Sequence, residues 1–184
     1  MRHPVGVIHG RFQVLHNDHL VYLLAGKQLC DHMVVGVTNP DDGPPPEESV
    51  APHRSKPENN PLSYDERKVM VETALQERGV PADDFSVIPL PIAEPQRILK
   101  VAPADAVYYL TIYDDWGREK LKRLQKLGLT THVMWERPET EKGISGSDVR
   151  ALIRSGGDWR ELTPPSVARL VERWEIQKRL SGSR

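Results

Sequence analysis

Apolar positions follow two alternating rhythms along this chain. Short runs that are apolar at nearly every position, Val5–His9, His32–Thr38, Phe85–Leu90, Ala106–Ile112 and Thr131–Trp135, read as strands buried on both faces. Between them, Asn17–Cys30, Tyr64–Arg78, Pro95–Val101 and Gly117–Leu127 carry the spacing of helices. Ser63 and Glu66 are placed as a capping box for the second helix, and Gly79 and Gly128 stand where helices should stop.

Strands alternating with helices predict an α/β fold, a Rossmann-like doubly wound parallel sheet of five strands. A C-terminal helical extension should follow over Pro164–Leu180, with Thr163 as cap and a core-facing stripe of Val167, Leu170, Val171 and Trp174. One segment breaks the rhythm. Asn39–Pro61 contains seven prolines and almost no apolar residue, which suits a lid or a mobile insert in an otherwise single domain spanning 1–184.

Composition narrows the function classes. A net charge of −1 supplies no broad basic surface for nucleic acid or membrane. Cys30 is the only cysteine, so neither a disulfide framework nor a cysteine zinc cluster can form. The N-terminal residues lack a signal-peptide pattern and no apolar run has membrane-spanning length, so the expectation is a soluble cytoplasmic protein, with a homo-oligomer left open.

Candidate chemistry lies at two helix starts. The first is Gly10-Arg11-Phe12-Gln13-Val14-Leu15-His16-Asn17-Asp18-His19, between the first strand and the first helix. His16 and His19 are three apart and share a helix face. With Arg11, Gly10 and the helix N-terminus, they would form a cradle for a polyphosphate at the carboxyl end of the sheet. The second is Lys142-Gly143-Ile144-Ser145-Gly146-Ser147-Asp148-Val149-Arg150, which follows the last strand and runs into helix at Ala151–Arg154. Its small residues let amides approach a ligand, and Arg150 lies one turn beyond Ser147.

Together the two segments resemble the nucleotidyltransferase superfamily that carries a His-x-Gly-His signature and a later Ile-Ser-x-Thr-x-x-Arg signature. The likeness runs from about Val5 to Arg154. Gly10-Arg11-Phe12-Gln13 with His16 and His19 is most similar to nicotinamide- and nicotinate-mononucleotide adenylyltransferases. Asn60-Pro61-Leu62-Ser63-Tyr64-Asp65-Glu66-Arg67 resembles a stretch of their archaeal-like branch.

The resemblance implies that His16 and His19 contact the α- and β-phosphates of a nucleoside triphosphate, with Arg11 near the phosphates or the acceptor. Ser147 and Arg150 would hold the β- and γ-phosphates, and Ser145 and Gly146 would shape the turn. Gly10, Phe12 and Asp18 count with the nucleotide-binding residues, and Tyr113 and Trp116 would lie near the base and acceptor. Magnesium would come bound to the substrate, with no protein metal site.

Two departures stand out. Asp18 occupies the signature's glycine position, where it could alter the pose of the base, bind a metal, or point away as a first-turn acid. Gly146 and Asp148 replace commoner serine and lysine, so that Lys142 or Arg154 would have to supply the missing charge. The resulting expectation is transfer of AMP from ATP to nicotinamide or nicotinate mononucleotide. The alternatives are cytidylyl or other nucleotidyl transfer from CTP to a phosphonate or phospho-alcohol, and a non-catalytic nucleotide-binding regulator.

Overall fold

The computed structural model describes residues 2–40, 56 and 59–182. The elements run β1 (His3–Gly10), α1 (Asn17–Gln28), β2 (Cys30–Thr38), α2 (Tyr64–Glu77), β3 (Phe85–Leu90), α3 (Pro95–Val101), β4 (Val107–Ile112), α4 (Asp115–Lys126), β5 (Thr130–Glu136), α5 (Gly146–Ser155), α6 (Pro165–Arg173) and α7 (Ile176–Leu180). The strands form one sheet in the order β3-β2-β1-β4-β5, and every pair is parallel. The expected α/β doubly wound fold is therefore present.

Alternation within the strands builds two separate cores. Val7, Val34 and Tyr108 join a cluster with Ile98 of α3 and Leu124 of α4 on one face. Their neighbours Ile8, Val35 and Tyr109 join a larger cluster with Leu23 of α1, Met70 of α2, Ile153 of α5 and Val171 of α6 on the other. Period-two side-chain direction feeds both layers from adjacent residues, which is why these runs contain almost no polar positions. The chain winds outward from β1 to β3, returns through α3 to β4, and continues to β5. The reversal opens a crevice between the carboxyl ends of β1 and β4.

Several boundaries differ from expectation for visible reasons. α4 starts at Asp115 rather than Gly117, because Asp114 caps it through Oδ1, which accepts from the Gly117 N–H at 2.8 Å. α5 begins at Gly146, under a capping box made by Ser145 and Asp148. The expected single helix over 164–180 is two helices, because Glu175 adopts the left-handed conformation (φ 52°) between α6 and α7. The expected lid over 39–61 falls largely outside the described residues. Among the described residues, no helix is long and apolar enough to cross a membrane.

Candidate active site

A cleft of about 430 Å³ opens beyond the carboxyl ends of β1 and β4. Three helix N-termini, those of α1, α4 and α5, contribute residues to its wall. Each leaves backbone N–H groups without intrahelical acceptors, so their partial positive charges converge on one space and favour an anion there. Gly10, Arg11, Phe12, His16, Asp18, His19, Tyr113, Trp116, Ser145, Gly146 and Ser147 all line it.

The two histidines cap their own helix. The His19 N–H donates to His16 Nδ1 and the His16 N–H to His19 Nδ1, each at 3.4 Å. Their rings stack with centroids 3.7 Å apart. Because both Nδ1 atoms accept, each neutral ring carries its proton on Nε2, a tautomer assigned from this network. Burial pulls His16 down to about 4, although Asp18 and Asp148 oppose the shift. At neutral pH His16 is an uncharged donor rather than a cation. Phe12 is fully buried and meets His19 edge-on, with centroids 5.1 Å apart, so it backs the imidazole.

The turn that carries these residues is held from beneath. Gln13 Nε2 donates to the Leu62 carbonyl at 2.9 Å, and the Leu62 N–H returns a bond to Gln13 Oε1 at 3.0 Å. Buried Arg67 donates to the carbonyls of Ser63, Arg11, Thr38 and Asn39, at 3.0, 3.1, 2.6 and 2.7 Å. The Asn60–Arg67 segment thus works as scaffolding for the first motif.

Arg150, expected at the outer phosphates, sits behind the wall of the cleft in this structure. It is buried, does not line the cleft, and donates to the Gln13 carbonyl, to Asn59 Oδ1 at 2.7 Å and to Ser147 Oγ at 3.1 Å. It ties the second motif to the back of the first. Gly146 makes that approach possible, since a Cβ there would come within 2.8 Å of the Gln13 carbonyl oxygen. Of the two candidate replacement cations, Lys142 lines the cleft and pairs with Asp114 at 2.8 Å, whereas Arg154 donates to the Leu180 carbonyl and is absent from the wall.

Asp18 makes a contact that none of the three alternatives described. Its Oδ2 accepts from the Ile144 N–H at 2.6 Å, joining the first turn of α1 to the loop before α5. Gly143 accommodates it, because a Cβ at 143 would lie 2.2 Å from the same oxygen. Asp18→Gly is expected to lower stability by about 1 kcal/mol through loss of this exposed bond, and to leave the preferred nucleotide unchanged. Urea denaturation and a donor screen on the variant check this; a switched donor would instead make Asp18 a selector.

Residues that the sequence did not single out complete the wall. Trp135 Nε1 donates to the Tyr113 hydroxyl at 2.7 Å, and Tyr22 meets the Trp135 ring edge-on. A register shift at Leu110/Thr111 sets Thr111 opposite Trp135, a local irregularity of a kind common beside functional sites. His9 and Lys120 also line the cleft. Pairing between distant elements carries no local sequence signal, which is why these were missed. Among the described residues, no group of three or more His, Cys, Asp or Glu side chains could hold a metal ion.

Residues 7–152 match a family model described as cytidylyltransferase-like. The chain belongs to this family. A phosphonoformate cytidylyltransferase of Streptomyces viridochromogenes is 50% identical over 175 residues, which cover 95% of this chain and 94% of that protein. A nicotinamide-nucleotide adenylyltransferase of Picrophilus torridus is 25% identical over 174 residues, covering 89% and 87%. A bifunctional NMN adenylyltransferase/ADP-ribose pyrophosphatase from Francisella tularensis, crystallised with AMP and manganese, superposes with a TM-score of 0.71 at 15% identity. It covers 98% of this chain and 52% of that longer one, a likeness of fold alone. The expected pyridine-mononucleotide adenylyltransferase is corrected by the first of these relatives. Within this nucleotidyltransferase family, identity to the cytidylyltransferase is twice that to the adenylyltransferase.

Proposed function

We propose that the protein transfers CMP from CTP to a small phosphonate acceptor and releases pyrophosphate. The observation that carries this reading is the 50% identity, across nearly the whole of both chains, to a phosphonoformate cytidylyltransferase. The cleft supports it with three convergent helix N-termini and with His16, which burial keeps uncharged at neutral pH.

In this reaction a phosphonate oxygen attacks the α-phosphorus of CTP. A P–O–P bond forms, the α–β phosphoanhydride bond breaks, and its electron pair leaves with pyrophosphate. The nucleophile is already an anion, so catalysis needs position and charge neutralisation more than a base. In this reading His16 and His19 donate from Nε2 to phosphate oxygens as the leaving group gains charge. Arg11 adds a cation, and the α5 amides at Gly146 and Ser147 hold the outer phosphates. Tyr113 and Trp116 border the acceptor and base. Arg150 positions the Gln13 carbonyl and Ser147 from behind.

Magnesium would arrive on the triphosphate and lower the charge on the departing pyrophosphate. The lining includes imidazoles, hydroxyls, amides and three scattered carboxylates, of which Asp18 is bonded to the Ile144 N–H and Asp114 to Lys142, and such a set suits a metal held chiefly by substrate and water.

Pyrophosphate release measured with CTP and with ATP, each with and without phosphonoformate, tests the reading. The expected result is acceptor-dependent release with a kcat/KM for CTP at least about tenfold above that for ATP, a difference of about 1.4 kcal/mol. Equal or better use of ATP would reject the donor assignment.

A further inference from the structure

A register shift in the edge strand re-aims Trp135. Leu110 pairs with Val133 and Thr111 with Trp135, so Met134 is an extra residue on β5. Neighbours in a regular strand point to opposite faces. Here Met134 packs against the core on the α1 side, and Trp135 also meets Tyr22 of α1. Irregularities of this kind redirect a side chain.

The redirected indole reaches the end of the next strand. Trp135 Nε1 donates to the Tyr113 hydroxyl at 2.7 Å. An indole N–H can only donate, so the phenol oxygen is the acceptor and its own proton points elsewhere. Among the described residues that proton has no acceptor. Both side chains are half-buried and line the cleft. A hydroxyl that accepts a hydrogen bond is polarised into a better donor. Tyr113 is thus an oriented, neutral donor in the wall.

Its surroundings specify the ligand. Tyr22, Tyr113 and Trp135 form an aromatic corner, and the Tyr22 hydroxyl is committed to the Tyr109 carbonyl at 3.1 Å. The charged neighbours in the chain are bonded too. Asp114 pairs with Lys142 at 2.8 Å, and Asp18 accepts from the Ile144 N–H at 2.6 Å. Flat apolar surface with one neutral donor suits a heteroaromatic ring bearing a carbonyl, not a phosphate. Tyr22 lies one turn beyond His19 on the same helix face, so the corner adjoins the histidine pair.

We propose that this corner takes the base of the nucleoside triphosphate: Tyr113 donates to the ring carbonyl of a pyrimidine, and Trp135 is the residue that positions Tyr113. This rests on the cytidylyl-transfer reading for the identity of the base. A nucleotide with its phosphates at His16 and His19 would extend its base toward Tyr22 and Trp135.

CTP and inorganic tripolyphosphate form the probe pair, because they share the triphosphate and differ by the nucleoside. Both are titrated with magnesium by calorimetry. The variants are Tyr113→Phe, which keeps the ring and removes the donor, Trp135→Phe, which keeps an aromatic side chain and removes the N–H, and the two combined. Tyr113→Phe should weaken CTP binding about 5–10-fold, the range of one hydrogen bond, and leave tripolyphosphate within about twofold. Retained tripolyphosphate binding also shows that the variant is folded. Trp135→Phe should weaken CTP binding by itself, yet cost little more once Tyr113 is already Phe, because its effect passes through the hydroxyl.

Unchanged CTP affinity in Tyr113→Phe would overturn the base subsite. So would an equal loss for CTP and tripolyphosphate, the mark of a general change in the wall, or tighter binding of ATP than of CTP by the unsubstituted protein. Full additivity of the two substitutions would overturn the positioning role of Trp135. The expected binding pattern without any pyrophosphate release on addition of phosphonoformate would retain the subsite and reject transfer to that acceptor.

Discussion

Alanine at His19 is expected to lower kcat for pyrophosphate release by about 10²–10³-fold, the usual cost of deleting one donor aimed at developing charge. His19 accepts from the His16 N–H through Nδ1 and lines the cleft, and in the proposed reaction its Nε2–H donates to a phosphate oxygen. The departing pyrophosphate gains charge in the transition state, so this bond strengthens as the reaction proceeds and the loss falls on kcat. Stability should change by only about 1 kcal/mol, because the cap that disappears is long, at 3.4 Å, and partly exposed. Steady-state kinetics with CTP, set beside urea denaturation, separates the two effects. A kcat within about threefold of the original would remove His19 from the phosphate site.

Arg67→Met should be the most damaging change to the fold among the residues around the cleft, costing about 2–4 kcal/mol. Its guanidinium serves four carbonyls, on β2, on the loop after it, at the start of α2 and in the β1–α1 turn. Burial pulls it down to about 10, still charged at neutral pH. Methionine fills much of the volume and relieves the cost of burying a charge, which limits the loss. It cannot satisfy the carbonyls, of which that of Thr38 is buried. Arg67→Lys should recover only part of the loss, since three donors on a point charge cannot reach the same fork of acceptors. Urea midpoints for the three proteins decide this; a methionine variant as stable as the original would show that water replaces the guanidinium.

The strand and helix alternation was legible because the central strands β1, β2 and β4 are buried on both sides, and a parallel sheet writes that burial into continuous apolar runs. Ser63, Glu66, Gly79 and Gly128 were legible because caps act within a few residues. The break at Glu175 was not, because a left-handed glutamate has no local signature. The histidine pair was readable from spacing alone, while its Nδ1 exchange needed the folded geometry and the neutral state of His16 needed its burial. Asp18 illustrates the limit most clearly: its partner, Ile144, lies 126 residues away.

The acceptor was misread for a physical reason. Gly10–Gln13 and Asn60–Arg67 pointed to pyridine-mononucleotide adenylyltransferases. Yet Gln13 bonds to the Leu62 backbone and Arg67 to backbone carbonyls, so both residues brace the turn. Scaffolding of this kind is compatible with more than one donor or acceptor. The rest of the cleft wall, Tyr22, Thr111 and Trp135 among it, is brought in from separate elements. Arg150 was recognised by its motif, but its bonds to the Gln13 carbonyl, Asn59 and Ser147 join distant segments and carry no local signal.

The most direct test follows the phosphorus atoms themselves. Protein, CTP, magnesium and phosphonoformate are mixed and observed by phosphorus NMR. The account predicts that the phosphonate resonance moves and becomes coupled to a nucleotide phosphorus, with pyrophosphate appearing in equal amount. Free CMP with an unshifted phosphonate, or a dinucleotide formed from ATP and nicotinamide mononucleotide while CTP stays intact, would contradict it.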